Sequence, residues 1–293
     1  NAVNNVAINA VGGLTTVAAA SGTRALTVTA SGTTTQGGLT DATATSVTLN
    51  VTGAQTFGTL TTAKATSVTI NATAAVTETL AAAVATSLVL DGTKLNTLTV
   101  TGTDPIASIT VKGSGGVSSD VSGITALTSV DTSASTAASV TGSTTVGPNT
   151  LTIGTGVTYA GGAGQDVVTI GGTSATTKAI NLGDGNDSVA FSTAITALGT
   201  GGSINGGAGT DTLILTNANA VSLTGATSAV QAAWKAAVTG FEILDIGTQT
   251  GSTWTDTTNY ICDANRPAIG TLGYNPTYVN FNGYIDDLRI TKG

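Results

Sequence analysis

The stretches LTDATATSV (39–47), LTTAKATSV (60–68) and LAAAVATSL (80–88) are variants of one phrase, repeated at a nearly constant interval. In each, Ser46, Ser67 or Ser87 opens a short run of alternating apolar and hydroxyl side chains, and Leu39, Leu60 or Leu80 lies seven residues earlier. Working outward in both directions finds the same alternation at NVAI (5–8), ALTV (25–28), SVTL (46–49), SVTI (67–70), SLVL (87–90), SITV (108–111), SVDT (129–132) and TLTI (150–153). Their starting positions hold one phase through all eight copies. A period of two places alternate side chains on one face of a strand. A constant phase of roughly 20 residues makes each copy one unit stacked on the next. The expected fold is all-β, a parallel β-solenoid with about 20–21 residues per coil. Eight coils at about 4.8 Å each give a rod on the order of 40 Å long. An antiparallel β-sandwich is the competing reading; it explains short strands but not the constant phase.

Composition agrees with thin, repeated layers. Aromatic residues are 4% and charged residues 9%, so one deep globular core is not expected. Mean hydropathy is +0.30, which with the regular alternation argues against disorder. The net charge of −7 and pI near 4.2 disfavour nucleic acid and anionic membrane surfaces as partners. Apolar runs are short and broken by Thr or Gly, so no membrane insertion is expected. His is absent, removing the commonest general base and zinc ligand. Cys262 stands alone, so no disulfide forms within the chain; it reads as a small buried residue rather than a nucleophile. The acidic residues show no convergent pair, and no enzymatic activity is expected; a polysaccharide-cleaving solenoid ranks below the readings given next. The chain opens at Asn1, and no targeting signal can be read there.

A second repeat follows the first. GGAGQDVVT (161–169), LGDGNDSVA (182–190) and GGAGTDTLI (206–214) each carry glycines, an aspartate at the sixth place and an apolar residue (Val168, Val189, Leu213) at the eighth. Gly162, Gly183 and Gly207 continue the rhythm of the first repeat, so these turns recur once per coil at one corner. The pattern resembles the calcium-binding repeat of the RTX family, GGxGxDxUx, where U is a large apolar residue. The resemblance implies Ca2+ as the bound ion. Asp166, Asp187 and Asp211 would give carboxylate oxygens, and backbone carbonyls around Gly162, Gly164, Gly183, Gly185, Gly207 and Gly209 would complete the shell. In the middle copy Leu182 replaces the first glycine, while Asp184 and Asn186 offer extra oxygens. Family repeats usually follow one another directly with two turns per coil; here one turn per coil implies ion sites only between neighbouring turns. The plain alternative is a set of Asp/Gly turns capping strands without metal.

Beyond this block, TSAVQAAWKAAVT (227–239) has Val230, Trp234 and Val238 at helical spacing and reads as a short capping helix stopped by Gly240. GFEILDIG (240–247) returns to a strand and resembles the closing segment that follows calcium repeats in secreted bacterial repeat proteins and surface-layer proteins. FNGYIDDLRITKG (281–293) resembles the last strands of laminin-G-like, concanavalin-type jelly rolls of phage tail fibres and adhesins. Asp286 and Asp287 there read as exposed strand-end charges. The expected organisation is therefore solenoid coils at 1–160, calcium-binding coils at 161–215, a capping helix and closing strand at 216–251, and a partial laminin-G-like β-appendage at 252–293. These resemblances imply an extracellular, cell-surface structural protein that is stabilised by calcium and assembles with copies of itself into a layer or filament. The alternative is a tail-fibre or adhesin module whose partner is cell-surface carbohydrate.

Overall fold

The computed structural model describes residues 3–9, 12–17, 19, 22–101, 103–193 and 197–246. The C-terminal segment 252–293, with Cys262, Asp286 and Asp287, lies outside the described residues. The described residues wind into a parallel β-solenoid with two sheets of eleven described strands each, and successive strands of these sheets enter them in turn. The first sheet runs from Asn5–Ile8 through Ser46–Val51 and Ser67–Ala72 to Val238–Thr239. The second runs from Thr15–Val17 through Gln55–Thr62 and Val76–Ala82 to Ile243–Asp245. Every pairing among the described strands of both sheets is parallel, for example Val47 with Val68 and Val68 with Leu88. Parallel strands need a crossover, and here the opposite sheet supplies it. This excludes the antiparallel sandwich.

Each coil thus holds two strands, and the two sequence marks account for one each. The Ser-led runs make the first sheet, while Leu39, Leu60 and Leu80 stack in the second. Alternate side chains point into the narrow lumen, as in Ser46–Val51, where Val47, Leu49 and Val51 are buried and the intervening residues are half-buried. The inner column Val47, Val68, Leu88, Ile109, Val130, Tyr159, Ile180, Ile204 continues from coil to coil. Ala44, Ala65 and Ala85, from the repeated phrase, are buried where the chain turns from the second sheet to the first. A larger side chain would not fit such a tight bend.

One expected copy falls in the other sheet. TLTI (150–153) lies in Asn149–Gly154, which pairs with Val117–Asp120 and Asp166–Gly171 of the second sheet. The first-sheet strand of that coil is Thr158–Ala160, opposite Ser129 to Asp131. The segment 136–148 lengthens this coil, and the alternating TLTI pattern suits either sheet equally. At the amino end Asn5 sits opposite Thr27 rather than Ala25.

Near the amino end, Arg24 and Asp41 form a buried ion pair, with Arg24 also donating to Val3 O and Thr43 Oγ1. Burial alone would raise the Asp41 carboxyl, but Arg24 and the N–H groups of Ala44 and Thr43 hold it below its ordinary value. Leu60→Ala is expected to cost about 2–5 kcal/mol in denaturant melts, because the lumen cannot collapse around the cavity, while the outward Thr69→Ala stays within about 0.5 kcal/mol. Asp41→Asn leaves Arg24 buried without its counter-charge and is expected to cost about 3–5 kcal/mol. A cost for Asp41→Asn no larger than that of Thr69→Ala would contradict the pairing.

Candidate functional site

The three glycine-rich turns occupy the corner where the chain passes from the first sheet to the second, and they stack directly. Asp184–Gly185 and Ala208–Gly209 form a small parallel ladder of their own. Asp184 N–H donates to Gly162 O at 2.6 Å, and Ala208 N–H to Gly183 O at 2.9 Å. Gly207 and Gly209 have φ of +113° and +139°, and a Cβ on either would overlap the carbonyl oxygen of Gly183 or Gly185 in the turn below. Only glycine allows both the left-handed backbone and this close approach.

After each turn comes its aspartate, inward-facing, at the first residue of the second-sheet strand (Asp166) or immediately before it (Asp187, Asp211). Asp166, Asp187 and Asp211 are 0%, 1% and 0% exposed. They form a ladder in which the carboxylates of Asp187 and Asp211 each accept the N–H of the aspartate one coil earlier. Asp166 N–H donates to Asp187 Oδ1 at 2.8 Å, and Asp187 N–H donates to Asp211 Oδ1 at 2.8 Å. A further rung follows, because Asp211 N–H donates to Glu242 Oε2 at 2.8 Å.

The three aspartates are not equivalent. Asp166 is fully engaged, accepting Asn149 Nδ2 at 2.8 Å on Oδ1 and Thr132 Oγ1 at 3.0 Å on Oδ2. Burial raises its pKa to about 6, partly offset by bonds from Asn149, Thr132 and Tyr159. The Tyr159 hydroxyl, wholly buried and beside Asp166, is held well above its ordinary value. By contrast, Asp187 Oδ2 and Asp211 Oδ2 are buried with no hydrogen-bond partner. Burial raises the Asp187 carboxyl to about 7; the Asp166 N–H counteracts this, and the nearby charges of Asp166, Asp211 and Asp184 add to it. Burial also raises Asp211, with Glu242 contributing. Acids in such surroundings resist ionisation unless positive charge is supplied.

Among the residues expected at the site, the structure therefore brings Asp187 and Asp211 together beside Gly183, Gly185, Gly207 and Gly209. Asp166, beside Gly162 and Gly164, is tied into the core. Asp184 is exposed, and the exposed Asn186 accepts Thr210 N–H on Oδ1 at 3.0 Å. Among the described residues no three acidic, cysteine or histidine side chains converge on one point. Glu242, Asn149, Thr132 and Tyr159 join the corner without being singled out by sequence. Glu242 was readable, since it precedes ILD as Asp211 precedes TLI, and those strands pair in that register. Tyr159 lies on the strand that enters the first glycine turn and Thr132 on the strand paired with it one coil earlier; neither carries a local mark.

The stretch expected as one helix, 227–239, forms α2 (Ser228–Ala237), and a helix not expected from sequence, α1 (Asn217–Thr224), precedes it; Thr216 and Thr227 cap them, their side chains accepting from Asn219 N and Val230 N. Val238–Thr239 is already a strand beside Ile204 and Asn205, so the helices cover a corner and one further coil follows. Trp234 packs on Phe191 with ring centroids 6.0 Å apart. Neither helix is long or apolar enough to cross a membrane.

Gly207→Ala is expected to cost at least about 2 kcal/mol, being both strained and obstructed by the Gly183 backbone. In chelator, the raised folded-state values of Asp166 and Asp187 make their contribution greatest below the ordinary carboxylate range, with loss as pH rises through about 6 to 7. Thermal melts in EGTA should therefore fall from pH 5 to pH 8, and melts that rise over this span would contradict the burial described.

Comparison with known protein families, with characterised proteins and with solved structures finds no match to this chain, and a functional reading has to stand on this geometry.

Proposed function

We propose that the chain is an extracellular structural protein whose solenoid is stabilised by calcium at the stacked glycine corner and assembles with copies of itself. The observation that carries the reading is the pair of buried, unpartnered oxygens, Asp187 Oδ2 and Asp211 Oδ2, held in successive turns. Calcium takes six to eight oxygens in an adaptable shell, and carboxylates with glycine-turn carbonyls are that donor set. Asp187 and Asp211 would hold the ion, with carbonyls of the turns 182–187 and 206–211 and with water. The hydrogen bonding of Asp166 favours fewer ions than three motif copies suggest. The ion would supply the positive charge that the two carboxylates lack.

Ion binding to the folded state alone stabilises it by mass action. Calcium is scarce inside cells and abundant outside, so ordering would follow export. A structural role is supported by the repetition itself, which gives long faces of outward Thr and Ser suited to periodic contacts. A glycan-binding reading finds one observation in its favour. A polar groove on the same corner, in the coils leading up to the first glycine turn, is lined by Asn71, Thr73, Asp91, Thr93, Ser114 and Thr136.

Calcium is expected to raise the melting temperature at pH 7.5 by several degrees and EGTA to reverse it. Asp187→Asn with Asp211→Asn should abolish the response, while Asp166→Asn should retain it. A wild-type melt indifferent to calcium would overturn the ion site. Electron micrographs with calcium should show arrays or filaments of the protein alone; discrete particles that bind glycans would favour the second reading.

A further inference from the structure

Well away from the glycine corner, the lumen contains an acid that the ion site does not use. Glu78 lies on Val76–Ala82 of the second sheet and points inward between Val76 and Leu80. It is 3% exposed, and both of its carboxyl oxygens lack a well-formed hydrogen bond. On the next strand, Asn96–Val100, Asn96 is 2% exposed, and its Nδ2 and Oδ1 are likewise unpartnered. Asn96 sits opposite Val76 and Leu98 opposite Glu78, so the two polar side chains are diagonal neighbours inside the coil stack.

These four orphaned atoms are complementary under one condition. A carboxylate only accepts, so it can take Asn96 Nδ2 but leaves Asn96 Oδ1 facing another acceptor. A carboxylic acid donates its O–H to Asn96 Oδ1 and accepts Nδ2–H on its carbonyl oxygen, and all four atoms are satisfied. An unpaired buried carboxylate would also be far costlier than the neutral acid.

Among the described residues no charged group faces Glu78 to change this balance. The flanking strands Gln55–Thr62 and Asn96–Val100 carry no ionisable side chain. Across the lumen the inward residues of Ser67–Ala72 and Ser87–Gly92 are Val68, Ile70, Ala72, Leu88 and Leu90, while Asp91 is exposed. At the corners, Lys64 is exposed, Lys94 half-buried, and Asp104 is an acid. The described ion pair, Arg24 with Asp41, belongs to earlier coils.

We propose that Glu78 is carried inside the solenoid as a neutral carboxylic acid sharing a two-point hydrogen-bonded pair with the Asn96 carboxamide, and that losing this proton to solvent loosens the coils spanning 55–100. Burial raises the Glu78 pKa to about 7, with Asn96 offsetting part of the rise. The switch therefore works near neutrality. Its contribution is full below the ordinary glutamate range near 4.5 and is lost as pH rises through about 7. It needs no calcium.

Glu78→Gln tests this directly, because a glutamine amide makes the same two-point pair at every pH. In urea melts of the full chain at fixed calcium, the unfolding constant of wild type relative to E78Q is expected to rise on the order of a hundredfold from pH 5 to pH 8. A ratio that stays constant would overturn the proposal. The wild-type-minus-E78Q infrared difference spectrum at pH 6 should show a carboxylic-acid carbonyl band beyond those of the buried aspartates, and a difference spectrum without that band would equally count against it. If E78Q does not fold, hydrogen exchange of wild type decides. Amides of 76–82 and 96–100 should lose protection between pH 6 and pH 8 after correction for intrinsic rates, whereas unchanged protection would refute the switch.

Discussion

The structure depends on register: each inward side chain rests on the corresponding side chain of the coils before and after it. A strand spacing of about 4.8 Å leaves no freedom to choose a different neighbour. Whatever residue the sequence places at an inward position becomes part of a column. Where the column is aliphatic, as from Val47 to Ile109, it forms a continuous thin core. Where it is acidic, like charges are brought within one coil of one another and must be dealt with locally.

The chain deals with its buried acids in different ways. Asp41 has Arg24 and two backbone N–H groups. Asp166 has Asn149, Thr132 and Tyr159. Both are complete within the protein. Asp187 and Asp211 each have one oxygen used by the ladder and one left over, inside turns whose glycines bring carbonyls close. At this corner two leftover carboxylate oxygens stand beside glycines whose backbones are stacked turn on turn. Their coincidence is what supports the proposed cation site over a simple set of strand-capping turns, since capping needs only the ladder oxygens.

Much of this was legible in the sequence, for a physical reason: a solenoid repeats its environment, so sequence period and structural period coincide. The Ser-led runs and Leu39, Leu60 and Leu80 predicted the coil length because each occupies a fixed station in it. TLTI at 150–153 misled because alternation marks a strand without marking its sheet, and the segment 136–148 had shifted the phase. The nonapeptides marked the corner correctly, and the residues they named do lie there. What sequence could not separate was the engaged Asp166 from the unpartnered Asp187 and Asp211. That difference arises from Thr132 and Asn149, one coil away and unremarkable in themselves. Glu78 was hidden similarly, since one acid among threonines looks like surface until the register turns it inward.

The central claim is that the leftover carboxylate oxygens of the second and third turns exist to meet a cation. Its most direct test is a crystal structure of the full chain grown in calcium, with anomalous diffraction to identify the metal. The account predicts an anomalous peak bounded by Asp187 Oδ2, Asp211 Oδ2 and carbonyls of the turns 182–187 and 206–211, and none beside Asp166. Asp187 and Asp211 bonded only to water or protein donors, with no metal between the turns, would contradict it.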